Sequence, residues 1–342
     1  MRQQRVRWLP FPPEKGERQW DWVGENLYGD NPFQSSAWGE YKKNWGWEPQ
    51  RWVASNENQE VVGSLQLLKK PLPMGRSLLW APGGPLFDFQ RMAPEDFKIL
   101  ISAGLREICR MNRAVYARFY SFQSPSPPMV RGFSDLGRTP SRRLGSGTTV
   151  EVDLSLSEEQ LLSGMARKHR YLVRRFGGNS IQWHWGKDDA LINNLESLHR
   201  EMSSRKNVLA TKNEDSRSLV SAFQDNILIL IGSLGREAVT GCMVLLKGRS
   251  AFYWRAATTP KGREISAAYP MIFQLFKLLK ARAIEHFDFG GILPRSPSAA
   301  GINHFKKGFG GKVVEYVGEW EWANPSWVRW GVNTWMAWRR NE

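Results

Sequence analysis

The chain has 342 residues, 41% of them hydrophobic, enough to build two domains with a core each, which excludes a disordered or fibrous protein. Lys and Arg number 48 against 33 Asp and Glu, a formal net charge of +15 that draws anionic partners such as nucleic acid, nucleotide sugars or a phospholipid surface. Two cysteines and no run near the ~20 apolar residues of a membrane span exclude a disulfide scaffold and an integral membrane protein; the expectation is a cytoplasmic chain whose membrane contact is peripheral.

The basic residues 1–7 lead into W-L-P-F-P-P at 8–13, too short and too broken by proline for a signal-peptide core. Residues 34–42, Q-S-S-A-W-G-E-Y-K, predict a tryptophan-rich helix. Lys42 has Trp38 four residues before it and Trp45 three after, and the stem of such a lysine covers aromatic surface. An apolar strand at 61–70, a basic turn and a second strand ending in Trp80 follow, with W-A-P-G-G-P-L at 80–86. An amphipathic helix is expected near 94–113 and a strand at 115–122. Prolines and glycines punctuate 124–148, which reads as surface loop and inter-domain crossover.

Residues 150–154 alternate as a strand. Ser157 and Gln160 form a capping box for a helix that runs to Phe176 and closes at Gly177 and Gly178. It buries Leu161, Leu162, Met165, Leu172 and Phe176 and sets Arg167, Arg170 and Arg174 on one stripe within K-H-R-Y-L-V-R at 168–174. Guanidinium forks suit phosphate oxygens, yet basic residues in a last helical turn also complement the helix dipole, so the pattern alone leaves both readings open.

The strand, basic turn and strand then recur at 239–248 and 251–254, with Gly241 and Trp254 in the places of Gly63 and Trp80. A helix near 265–285 and a strand at 286–289 follow, as in the first half. A strand-strand-helix-strand unit used twice predicts duplicated domains. Cys109 and Cys242, each inside an apolar stretch, are expected as buried thiols. The five histidines show no metal-ligand spacing, and no metal site is expected.

D-F-G-G-I at 288–292 and G-I-N-H-F-K-K-G-F-G-G at 301–311 predict a buried strand, a glycine turn and a loop presenting Lys306 beside Phe305 and Phe309. A desolvated lysine awaiting an anion competes here with a solvated lysine pair on a glycine-rich hairpin. Beyond residue 325 a helix is expected with Trp327, Trp330, Trp335 and Trp338 on one face and Arg329 and Arg340 opposite; it either lies in a membrane interface or docks onto the first domain.

Taken in order, the four motifs at 34–42, 80–86, 168–174 and 288–319 resemble those of the Fem-type (FemABX) peptidyltransferases, the lipid II:glycine glycyltransferase family, over most of the chain. The resemblance implies an α/β fold of two tandem GNAT-like acyltransferase domains with mixed sheets. Residues 1–148 would form the first, on the acceptor side, 149–322 the second, on the donor side, and 323–342 a C-terminal helix. It also implies transfer of an amino acid from aminoacyl-tRNA to the stem peptide of a peptidoglycan precursor, UDP-MurNAc-pentapeptide or lipid II, by a monomer without a cofactor. Phe305 and Lys306 would meet the aminoacyl end of tRNA, the lysine stabilising the tetrahedral intermediate. Lys42, with Trp38 beside it, would hold the precursor's diphosphate, and Arg170 and Arg174 would bind phosphate. Trp80 stands where the family usually has tyrosine, keeping a stacking surface without the hydroxyl. Tyr253 is either a neighbour of the site or a core tyrosine. The Q/R-x-x-G-x-G/A loop of coenzyme A-using GNAT enzymes is absent from 258–267, though an N-acyltransferase with an acyl-thioester donor remains the alternative.

Overall fold

Two apolar runs, Val61–Pro71 and Glu237–Lys247, are buried along most of their length, as strands covered on both faces must be. A computed structural model describes residues 6–26, 30–176, 181–206 and 215–338. Its strands in chain order are β1 (Val6–Pro10), β2 (Glu48–Asn56), β3 (Val61–Pro71), β4 (Ser77–Gly83), β5 (Leu86–Phe87), β6 (Ala114–Ser121), β7 (Thr148–Asp153), β8 (Gln182–Gly186), β9 (Ile227–Leu234), β10 (Glu237–Lys247), β11 (Ser250–Thr258), β12 (His286–Asp288), β13 (Lys312–Glu315) and β14 (Gly318–Ala323). They form two mixed sheets, one ordered β1-β2-β3-β4-β6-β14 with β5 beside β3, the other β13-β7-β12-β11-β10-β9-β8.

The chain divides into two units, residues 1–147 with 315–342, and residues 148–314. In the first, Phe97, Leu100, Ile101, Leu105 and Ile108 pack beneath Leu65, Leu79 and Phe119. Their helix turns π-helical over Ile99–Gly104. The Leu100 carbonyl there accepts both from the Leu105 amide and from Trp8 Nε1, the latter at 3.0 Å. In the second unit the helix Ala268–Lys280 buries Met271, Ile272, Leu275, Phe276 and Leu279 against Cys242, Val244, Phe287 and Phe289. Each such side chain contributes ~1.5–3 kcal/mol by leaving water. The duplicated strand-strand-helix-strand order is present in both units, and Cys109 and Cys242 are buried free thiols.

Four expectations need correcting. The second domain does not run to residue 322. The chain returns at 315, and β14 pairs antiparallel with β6, while β7, next after β6 in sequence, pairs with β12 in the other sheet. The 124–148 segment is not loop throughout, because Pro127–Leu136 is a helix burying Met129, Phe133 and Leu136. The helix expected from Ser157 to Phe176 starts at the predicted capping box but breaks into Glu158–Gly164 and Arg167–Phe176. Met165 is extended there, and the Ala166 amide donates to the Gly308 carbonyl at 2.9 Å instead of continuing the helix. Finally, Lys306 sits on a helix, Ala300–Lys307, rather than a loop. The closing glycines 177 and 178, Arg340, and the side chains of Phe176, Trp335 and Trp338 lie outside the described residues.

Candidate active site

In the first unit, Ser35 caps the helix Ser36–Lys43, its hydroxyl accepting from the Trp38 amide at 3.2 Å. Gln34 then stitches this helix to the sheet. Its Nε2 donates to the carbonyls of Gln66 (3.1 Å) and Pro82 (2.8 Å), and its Oε1 accepts from the Gln66 amide at 2.7 Å. Those bonds hold the 34–42 motif against the 80–86 motif. The Lys42 ammonium consequently lies 4.5 Å from the Trp38 ring centroid, 5.0 Å from Tyr41, 5.3 Å from Trp45 and 5.6 Å from Trp80. Such contacts contribute ~0.5–1 kcal/mol each when exposed and more when dry. Trp47 packs on Trp80 at 5.9 Å and widens the aromatic wall. Lys42, Trp38 and Trp80 are thus one cluster, with Trp38 buried and Lys42 and Trp80 partly open to solvent.

In the second unit the parallel strands β11 and β12 pair only at Ser250↔His286, Ala251↔Phe287 and Phe252↔Asp288. The matching strands of the first unit, β4 and β6, stay paired from Ser77↔Ala114 to Gly83↔Ser121. Beyond Phe252 the second pair separates. β11 carries a bulge at Trp254, between the pairs Met243↔Arg255 and Val244↔Tyr253, just past the last β12 partner. The gap opens at the carboxyl ends of the strands, where open α/β sheets place ligands.

Lys306 stands at this gap. Its Nζ donates to the carbonyls of Gly291 (2.8 Å) and Gly290 (3.2 Å), so one of three N–H donors is left for a ligand. Gly290 has φ +69°, a conformation that favours glycine, and a Cβ there would stand a tight 3.2 Å from the Tyr253 carbonyl oxygen. The Asp288 carboxylate accepts from the Gly290 amide at 2.6 Å and from the Thr149 hydroxyl, tying the turn to β7. Asn303 grips the outgoing loop through Leu293 N (3.0 Å) and Leu293 O (2.7 Å). Burial pushes the Lys306 pKa down to about 8, the Asp288 charge opposing. At neutral pH it stays mostly cationic.

Phe305 packs edge-on against Tyr269 (5.3 Å) and Phe309 (5.1 Å), and its carbonyl accepts from His169 Nε2 at 3.0 Å. The acceptor fixes the proton on Nε2. Burial holds the His169 pKa below the usual imidazole value. Gly308 makes room for that ring, since a Cβ would fall 2.1 Å from His169 Cε1. Sequence reasoning missed His169, Asn303 and the two glycine carbonyls. Only the histidine's place inside K-H-R-Y pointed there.

Arg170 donates to the Ser163 carbonyl at 2.9 Å, capping the preceding helix, whereas Arg174 is exposed. Tyr253 packs its ring against Phe287 (5.9 Å) and Phe289 (5.8 Å), and burial drives its hydroxyl pKa well up; it meets the site through its backbone. At 258–267 the amides turn inward: Gly262 N to Thr259 Oγ1 (3.1 Å), Ser266 N to Arg263 O (3.0 Å) and Ala267 N to Gly262 O (2.8 Å). A pyrophosphate cradle needs such amides facing out. Among the described residues no helix is long and apolar enough to cross a membrane.

Residues 235–328, which include the Lys306 helix, match the model of the FemAB family. No curated protein sequence matches the chain. Among solved structures, FemX superposes with a TM-score of 0.78 at 16% identity, covering 92% of this chain and 98% of that one. The L-PGS of Bacillus licheniformis gives 0.56 at 13% identity, covering 96% and 98%. A tandem GNAT protein from the clavulanic acid biosynthesis pathway gives 0.55 at 12%, covering 93% and 98%. At these identities the likeness is one of fold, and that fold is the tandem GNAT arrangement of two mixed α/β units.

Proposed function

We propose, for a chain that is FemAB-type over residues 235–328 and tandem GNAT in fold, that it is an aminoacyltransferase of peptidoglycan bridge formation, moving an amino acid from aminoacyl-tRNA to the amine of a precursor stem peptide. The observation that carries this reading is the Lys306 ammonium, held by two carbonyls at the gap between β11 and β12 with one donor to spare. The precursor amine, as free base, attacks the ester carbonyl carbon; as the tetrahedral intermediate forms, that donor meets the oxyanion, and collapse breaks the ester C–O bond, the proton lost by the attacking nitrogen passing to the departing ribose oxygen of tRNA. A cation already in place costs no reorganisation at the transition state.

The Lys42 cluster of the first unit is the site for the precursor's diphosphate and nucleotide, and Arg170 and Arg174 of the second unit are assigned separately as phosphate-binding residues. A tRNA donor accords with the +15 charge and with the inward amides of 258–267, which offer little to the pyrophosphate of coenzyme A. The acceptor is soluble UDP-MurNAc-pentapeptide or lipid II; peripheral contact at the membrane's inner face serves the second. Incubating the purified protein with charged tRNAs and each precursor, followed by mass analysis, tests the reading. An aminoacylated stem peptide is expected. Stabilisation by acyl-coenzyme A, with no transfer from any charged tRNA, would replace it with a thioester-dependent N-acyltransferase.

A further inference from the structure

The first unit holds a cleft of about 570 Å³, between the 138–142 segment and the C-terminal helix Val328–Trp338, whose lining includes none of the residues assigned above to aminoacyl transfer. Its walls carry three guanidiniums, Arg138, Arg142 and Arg329, against one carboxylate, Glu321. That carboxylate is spoken for. Its Oε2 accepts from the Tyr116 hydroxyl at 2.9 Å and from Asn333 Nδ2 at 3.1 Å, and Arg118 lies 3.9 Å away. The cleft is therefore an anion trap by charge, built on a rigid floor: Arg138 and Glu321 exchange backbone bonds of 3.0 and 2.7 Å. Arg142 Nη1 and Asn333 Oδ1 are buried without a hydrogen-bond partner, a donor and an acceptor left over beside the cleft.

What surrounds the cleft narrows the anion. The Asn333 bond docks the helix onto β14, yet Trp330, on the cleft's rim, is 77% exposed and neighbouring Trp327 is 69% exposed. Two indoles standing in water beside an arginine cleft match a bilayer interface, apolar rings at headgroup depth and guanidiniums at the phosphates. From Trp327 to Arg340 the sequence has no acidic residue to oppose an anionic surface.

We propose that this cleft binds the phosphate of an anionic phospholipid, with Trp327 and Trp330 entering the headgroup layer. The site stands apart from the transfer reading, since binding is read without tRNA or precursor. The test is co-sedimentation of the full chain with phosphatidylcholine vesicles, with and without phosphatidylglycerol. Binding is expected only with phosphatidylglycerol, weakening as salt rises. An arginine at an anionic surface strengthens partitioning about fivefold, so Arg138→Ala with Arg329→Ala should lose about 25-fold. Trp327→Ala with Trp330→Ala, exposed positions that leave folding intact, should also release the protein. Three outcomes overturn the proposal: the double arginine variant binding as well as wild type; inorganic phosphate raising the melting temperature through these arginines while vesicles do not bind; or the arginine variant losing affinity for tRNA while keeping it for vesicles.

Discussion

Lys306 is where a single side chain decides the most. If its spare N–H meets the oxyanion, Lys306→Ala should slow transfer on the order of 10²-fold while leaving precursor affinity nearly unchanged, measured by single-turnover transfer and by titration calorimetry. A pKa near 8 adds a sharper check. The cation is the working form, so the ratio of wild-type to Lys306→Ala transfer rates, in which the titration of the attacking amine cancels, should fall as pH rises through about 8. Wild-type turnover in the alanine variant, or a wild-type to variant rate ratio flat across that range, removes the lysine from the chemistry. Two histidines control stability instead. Burial, and then the Arg255 charge, hold His199 down to about 4, against about 6.5 in an unfolded chain. Between those values the unfolded chain takes up the extra proton, so this contribution is complete above about pH 6.5 and is lost as pH falls toward 4. His169 acts with the same sign. Urea midpoints should therefore drop between pH 7 and 5, and less steeply in His199→Gln.

At the scale of elements, Gln34 does more than its motif position indicates. Replacing it by alanine orphans the Gln66 amide and removes the donor to two carbonyls, all buried, at ~1–3 kcal/mol for each group left unsatisfied. Gln34→Ala should lower the melting temperature by several degrees and weaken precursor binding through the displaced Lys42 cluster. Unchanged calorimetry on both counts would detach the helix from that site. The sequence made the paired strands legible, because their apolar runs and tryptophans repeat, and it brought Lys42, Trp38 and Trp80 forward through local motifs. It hid the helix Pro127–Leu136. Two prolines and a glycine mask the i, i+4, i+7 spacing of Met129, Phe133 and Leu136, although proline is well suited to a helix's first turn. It also hid the break at Met165, which a bond to distant Gly308 dictates, and the carbonyl grip on Lys306, which only the turn at Gly290 creates. Patterns within about ten residues were readable; strand exchange and backbone ligands were not.

For the whole molecule, net charge and connectivity set the expectations. A donor tRNA bound by a +15 chain should show affinity falling steeply with salt, as each neutralised phosphate releases counterion; coenzyme A should neither compete nor stabilise. A shallow salt slope with competition by coenzyme A would speak for the thioester donor.

Connectivity has a temporal side. The first sheet takes its last strand from the far end of the chain, so during synthesis β6 waits with one edge bare while roughly 200 residues are added, on the order of 10–40 s at ribosomal rates. An uncovered edge of that kind recruits other chains. A fragment ending at residue 147 should aggregate when made alone and become soluble when residues 315–342 are supplied alongside it. The nascent protein thus has its most vulnerable interval before its second half exists, and the cell's holdases would be expected to find it then.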